Sequence, residues 1–211
     1  MLAGVDEAGR GAVMGPLVIG IAVAAREVEK ELKEAGVKDS KLLSPSARER
    51  LVGLVRNLCT VSLVKISARE LNELMKKHSL NEIEAMKIGQ ELNRLEFSTA
   101  LVDSPDPQPE KFEKRIRKYY SGSAEIRCEN KADFNYAIVG AASIAAKVER
   151  DAEMGRISRE LGADLNSGYP SDEITISFLE KNWKKKEVQK YLRMEWQTLE
   201  RFKQRKLTDK P

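Results

Sequence analysis

The sequence predicts an α/β protein: a mixed five-stranded sheet flanked by helices, with a small helical C-terminal appendage. Three observations carry this reading. Two β-rich segments, Met1–Val5 and Leu17–Ala25, flank a connection containing Gly9, Gly11 and Gly15. Three further short strand candidates follow, separated by helical stretches with recognisable start signals. After the break Asn166-Ser-Gly-Tyr-Pro170 the chain reads as amphipathic and basic to its end.

The elements follow in order. Leu17–Ala25 (LVIGIAVAA) is rich in Val and Ile and reads as a strand. Two strands joined by a short turning segment most simply form an antiparallel pair. Thr60–Ile66 (TVSLVKI) alternates and is a third strand. Ser44-Pro45 opens a helix to about Leu58, with Ser as N-cap and Pro at the first helical position. Ser79-x-x-Glu82 is a capping-box pattern that opens a helix toward Phe97. Ala100–Val102 and Glu125–Cys128 are the fourth and fifth strands, with the three-proline loop Ser104–Pro109 between them. Phe134 to Leu161 reads as one long helix, its Ala137, Ala141, Ile144, Ala145, Val148 and Ala152 forming an apolar stripe. Strands separated by helices favour parallel pairing for the last two. This divides the chain into a sheet domain over 1–165 and a basic helical region over 166–211.

Composition excludes several classes. The longest apolar stretch, Gly11 to Ala25, is broken by Gly15-Pro16 and falls short of the roughly 20 residues a membrane helix needs. It also follows Asp6, Glu7 and Arg10, which do not make a secretory leader. Cys59 and Cys128 lie far apart without a C-x-x-C, as expected of a reduced, cytoplasmic protein. His78 is the only histidine, so His-based triads and His-rich metal centres are not available. Acid–base chemistry must come from carboxylates, lysines or metal-bound water. The net charge of +4 is unevenly placed: the last 31 residues carry 11 Lys/Arg against four Asp/Glu. A basic tail suits an anionic partner, although it also suits an ordinary solvated helix. Nothing in the pattern indicates an oligomer, so a monomer is expected.

The densest motif is Asp6-Glu7-Ala8-Gly9-Arg10-Gly11. Adjacent strand residues point to opposite faces, so both acids share one site only if the chain bends there. The glycines permit such a bend and a close backbone approach to a ligand. Asp103 ends the apolar Ala-Leu-Val, where a strand's C-terminal end commonly faces a ligand. Asp133 stands at the start of the long helix, where it could equally be a cap. In a sheet of this order the three places can converge. Carboxylates gathered in one cleft repel unless a cation compensates them. Oxygen-only ligands select hard cations, Mg²⁺ or Mn²⁺, which suit phosphoryl transfer.

Six segments then occur together and in order: D-E-A-G-R-G at 6–11, V-K-D-S-K at 37–41, V-D-S-P at 102–105, N-K-A-D at 130–133, A-A-S-I-x-A-K at 141–147 and S-G-Y-P-S-D at 167–172. This series resembles ribonuclease HII over about residues 1–175. The resemblance implies an RNase H-like catalytic domain and metal-dependent endonucleolysis. The implied substrates are the RNA strand of RNA–DNA hybrids and ribonucleotides embedded in duplex DNA, cut to leave 3′-hydroxyl and 5′-phosphate ends. It implies Asp6, Glu7, Asp103 and Asp133 as the catalytic and metal-holding carboxylates.

The same resemblance implies that Gly9, Arg10 and Gly11 read the 2′-hydroxyl through backbone groups, and that Tyr169 packs on the sugar at the junction. Ser40 and Lys41 are expected at a phosphate. Ser143 and Lys147, four residues apart, are expected opposite the apolar stripe of the long helix, meeting the nucleic-acid backbone. Many relatives end in a motif that binds a sliding clamp. Here Gln204-x-x-Leu207 matches it in part, followed by Thr-Asp-Lys-Pro with no aromatic, and Gln197-Thr-Leu-Glu-Arg-Phe202 is an alternative partial match. Two rival readings remain in view. A non-catalytic binding module would gain nothing from four acids near phosphates. A phosphatase of small substrates would not need the basic tail.

Overall fold

The computed structural model describes residues 1–37 and 44–200. In chain order these hold β1 (Leu2–Ala8), β2 (Leu17–Ala24), α1 (Val28–Glu34), α2 (Pro45–Leu58), β3 (Thr60–Ile66), α3 (Ala68–Met75), α4 (Leu80–Leu92), β4 (Thr99–Asp103), α5 (Pro109–Arg117), β5 (Glu125–Glu129), α6 (Ala132–Asn135), α7 (Ala137–Leu161), α8 (Glu173–Asn182) and α9 (Lys186–Gln189). The five strands form one sheet in the order β3-β2-β1-β4-β5. β1 pairs antiparallel with β2 and parallel with β4, and β4 pairs parallel with β5. This is the mixed sheet flanked by helices that the sequence predicts.

Local chemistry explains the boundaries. Ser44 accepts the Ala47 N–H at 3.2 Å to start α2. Ser79 accepts the Glu82 N–H at 3.3 Å to start α4, which ends at Leu92 rather than reaching Phe97. The expected single helix from Phe134 to Leu161 is two helices. Tyr136 is extended (φ −125°, ψ 121°) and separates α6 from α7. Its hydroxyl donates to Glu129 at 2.7 Å, while Glu29 accepts the Ala137 and Ile138 N–H groups at 2.5 and 2.9 Å. The new helix start therefore has its own carboxylate cap, drawn from more than 100 residues away, which periodicity cannot reveal.

The chain forms two compact units. The first comprises residues 1–8, 18–64 and 78–149, and holds most of the sheet. Its main core joins Ala22, Ala24, Leu32, Val55 and Leu101 to the buried alanines, Ile138, Val139 and Ile144 of α7. A Cβ on Gly4 of β1 would lie 2.3 Å from the Ile138 carbonyl oxygen, and one on Gly20 of β2 would lie 2.3 Å from that of Ala142. Both glycines are thus required for α7 to lie directly on the strands.

The second unit comprises residues 9–17, 65–77 and those from 150 onward. Its core gathers Val13, Met14, Met154, Ile157, Leu165, Leu179, Val188, Leu192 and Leu199. Within it the segment Val13–Gly15 is hydrogen-bonded along its backbone. Val13 and Met14 donate to Gly168 at 2.9 and 3.2 Å, and Gly15 donates to Tyr191 at 2.9 Å. Among the described residues no helix is long and apolar enough to cross a membrane.

Candidate active site

The parallel register of β1 and β4 places two acids side by side. Leu2 pairs with Thr99 and Val5 with Val102, so the next step along both strands brings Asp6 beside Asp103 on one sheet face. That face is the one carrying Gly4, against which α7 lies. Asp6 is 5% exposed. Its carboxyl is pushed up to about 6, first by burial and then, on the raising side, by the charge of Asp103. Ser143 of α7, Lys147 and the Glu7 N–H, which donates to Asp6 Oδ1 at 2.8 Å, pull the other way. Lys147 Nζ donates to Ser143 Oγ at 2.7 Å, leaving the hydroxyl proton of Ser143 for Asp6. A relay from ammonium to hydroxyl to carboxylate thus runs from helix to sheet.

Ser143, expected on an outward face opposite the apolar stripe, is instead fully buried. The reason is that α7 is buried all round from Ala137 to Ala146, and its polar residue is absorbed by the acid beneath it. Lys147 is half-buried.

Asp103 ties in the third segment. Its Oδ1 accepts the Ala132 N–H at 2.8 Å, which draws the start of α6 to the end of β4. Lys131 takes the left-handed conformation there (φ 60°), and Asp133, one residue past the anchored amide, is 1% exposed. Asn130 fastens the same corner from the other side by donating to the Ser104 and Asp106 carbonyls at 3.0 and 2.8 Å. Asp103 also pairs in register with Glu129 of β5. Neither Asn130, the first residue of the N-K-A-D segment, nor Glu129 just before it was read as a site residue from the sequence.

Glu7 differs from Asp6. β1 stays paired through Ala8↔Val18, and the left-handed turn comes only at Gly9 (φ 88°), beyond both acids. Strand alternation therefore starts the half-buried Glu7 side chain on the opposite face from Asp6. Among the described residues, no three His, Cys, Asp or Glu side chains form a ready metal cage. What the structure provides is an all-oxygen donor set whose innermost member holds its proton too tightly for an ordinary aspartate. A hard divalent cation fits such a set, because it would supply the positive charge that burial denies Asp6.

The Gly9–Gly11 strip and Tyr169 belong to the second unit. Arg150, 3% exposed, donates to the Ser167 carbonyl at 2.6 Å and lies 4.7 Å from the Tyr169 ring centroid. A Cβ on Gly9 would fall 2.2 Å from Arg150 Nε, so glycine is needed both for the turn and for the arginine beneath it. A Cβ on Gly11 would sit 3.8 Å from Tyr169 Cε1, which places Tyr169 beside the strip. Asp172 accepts from the Ser167 hydroxyl and from the Ile174 and Thr175 N–H groups, holding the turn that carries Tyr169. Arg150 was not identified from sequence, where an arginine on a charged helix carries no signal. Ser40 and Lys41 lie outside the described residues, as do Phe202, Gln204 and Leu207 of the clamp-like segments.

The chain is similar to known proteins over nearly its whole length. The family model described as Ribonuclease HII matches residues 3–199. A ribonuclease HII of Methanothermobacter thermautotrophicus is 41% identical over 206 residues, covering 95% of this chain and 98% of the relative. The ribonuclease H2 of Pyrococcus horikoshii superposes with a TM-score of 0.86 at 39% identity, over 97% of each chain. The ribonuclease HII of Archaeoglobus fulgidus, solved in complex with PCNA, gives 0.89 at 38% identity over the full length of both. With a matching mixed sheet, near-complete coverage in both directions and two aspartates side by side at the ends of β1 and β4, the chain belongs to the ribonuclease HII family of endonucleolytic hydrolases.

Proposed function

We propose that this chain cleaves the RNA strand of RNA–DNA hybrids and incises duplex DNA at embedded ribonucleotides, leaving 3′-hydroxyl and 5′-phosphate ends. The observation that carries the reading is the juxtaposition of Asp6 and Asp103 beneath Ser143, in a chain of this family. Asp6 and Asp103, with Glu7 and Asp133, would hold Mg²⁺ or Mn²⁺. Such ions supply charge neutralisation at the scissile phosphate and an activated water.

The chain's own residues do the rest. Ser143 and Lys147 hold the Asp6 carboxylate ionised and oriented against the cost of burial. The Ala132 N–H orients Asp103 by bonding one oxygen, leaving the other for a ligand. The strip Gly9, Arg10 and Gly11 offers backbone groups to the 2′-hydroxyl, the one feature that separates RNA from DNA at a given nucleotide. Tyr169, stacked on Arg150, supplies a flat face for the sugar. Ser40, Lys41 and the basic C-terminal residues would contact phosphates, making binding salt-dependent.

A sliding clamp is proposed as a partner, in keeping with the PCNA complex of the Archaeoglobus relative. Leu199 is buried in the second unit's core, so the Gln197–Phe202 segment is committed to packing at that residue. The Gln204-x-x-Leu207 segment is therefore the better candidate.

The test is incubation of a duplex containing one ribonucleotide, and of an RNA–DNA hybrid, with Mg²⁺, Mn²⁺ or chelator. Metal-dependent nicking 5′ to the ribonucleotide, with the stated ends, is expected. Cleavage that persists in chelator, or none on either substrate, removes the reading.

A further inference from the structure

Arg193 is the largest fully buried side chain among the described residues, and it bonds one loop at three points. Its Nη1 donates to the Arg10 carbonyl at 3.0 Å and its Nε to the Gly15 carbonyl at 3.1 Å. Its own N–H donates to the Val13 carbonyl at 3.0 Å, and its guanidinium lies 4.9 Å from the Trp196 ring centroid. One residue thus holds three carbonyls of the segment 10–15. Burying a guanidinium is costly, and a loop that needed only to be covered could be held by apolar packing. A planar fork does something apolar packing cannot: it fixes the direction of two carbonyls at once.

The direction matters at Arg10. The peptide joining Arg10 to Gly11 is planar and trans, so its C=O and N–H point oppositely. With the Arg10 carbonyl drawn inward to Arg193, the Gly11 N–H is turned outward. Gly11 is exposed, and a Cβ built on it would lie 3.8 Å from Tyr169 Cε1. We propose that Arg193 is a specificity-determining positioning residue: it aims the Gly11 N–H at the ribonucleotide sugar beside Tyr169, and so sets discrimination of a ribose from a deoxyribose. The inference rests on the proposed reading of the strip as the 2′-hydroxyl sensor.

The experiment compares wild type with Arg193→Lys, which keeps the charge but lacks the fork, and with Trp196→Leu, which removes the ring under the guanidinium. Affinity is measured without catalytic metal for a duplex carrying one ribonucleotide and for the same duplex in all-DNA form, alongside a melting curve. Arg193→Lys is expected to lower the ratio of the two affinities about tenfold, the scale of one well-aimed neutral hydrogen bond, with all-DNA binding within about twofold of wild type. Trp196→Leu is expected to lower the same ratio about threefold, because the fork loses its backing. A purely structural arginine would lower the melting temperature and leave the ratio unchanged. An unchanged ratio in whichever variant folds overturns the proposal while leaving the proposed activity intact. A wild type without preference for the ribonucleotide duplex overturns the parent reading and this inference with it.

Discussion

Ser143 donates its hydroxyl to the Asp6 carboxylate while accepting Lys147 Nζ at 2.7 Å. A helix residue and a strand residue of the first unit are thereby joined beside Asp103. The three groups form a unit: burial penalises the Asp6 anion, and the relay returns part of that penalty without neutralising the acid.

Replacing Asp6 by Asn, or Asp103 by Asn, is expected to lower cleavage by at least about a thousandfold, because the charge that would hold a cation is gone. Duplex affinity measured without metal should stay within a few-fold of wild type. Comparable metal-dependent turnover by either variant would remove the assignment of these two acids.

Stability should move the other way. The folded Asp6 pKa, raised from 3.8 to about 6, means that the folded state binds more protons than the unfolded between these values. Stability therefore falls as pH rises from about 4 through 6, and the full penalty is present above that window. Asp6→Asn removes it, so the metal-free variant should be more stable than wild type at pH 8 by up to about 3 kcal/mol. The gain should disappear near pH 4. Thermal melts at both pH values, with and without Mg²⁺, test this, and Mg²⁺ should raise the melting temperature of wild type only.

Ser143→Ala removes the hydroxyl from the relay. Asp6 should then hold its proton to higher pH, and the acid limb of the pH–rate profile should shift upward, with activity near neutrality reduced about tenfold. A pH profile superimposable on that of wild type would show that the hydroxyl does not tune the acid.

Tyr169→Ala should reduce incision at a single ribonucleotide more than cleavage of long hybrid RNA, since a lone ribonucleotide offers one register for recognition and a hybrid offers many. Equal losses on both substrates would count against a junction-sensing role. Gly9→Ala should impair both and destabilise the protein by more than about 1 kcal/mol, because its Cβ meets Arg150 at a positive φ.

Asp172 caps α8 and binds Ser167, which holds its carboxyl below the usual aspartate range despite partial burial. This stabilisation is complete above pH 4 and is lost as pH falls through the depressed value. Asp172→Ala should cost about 1–2 kcal/mol at pH 7 in a chemical melt. The difference from wild type should narrow in strong acid.

Much of the fold was legible because it is local. Ser44-Pro45 and Ser79-x-x-Glu82 mark helix starts whose partners lie within three residues, and both form as read. Strand composition located all five strands to within a few residues. The acids stand out in the sequence for a different reason: carboxylates at strand ends are conspicuous against apolar runs. Features that depend on distant partners were not legible. The break at Tyr136 needs Glu129 and Glu29, and the burial of Ser143 needs the close approach of α7 that Gly4 and Gly20 permit.

Sequence alone, then, determined an α/β chain, the order of its strands and the acids that could form an oxygen-only metal site, because these follow from spacing and side-chain type. Tertiary structure decided which acids meet. The parallel register sets Asp6 beside Asp103, and the bond from the Ala132 N–H to Asp103 ties the segment that carries Asp133 to the end of β4. It also decided that residues 9–17 and 65–77 fold with the chain beyond 149, so that Arg150 and Arg193 lie buried against the glycine strip. Such pairings are set by hydrogen bonds and burial between residues up to 183 positions apart, and no periodicity along a chain encodes a distance of that kind.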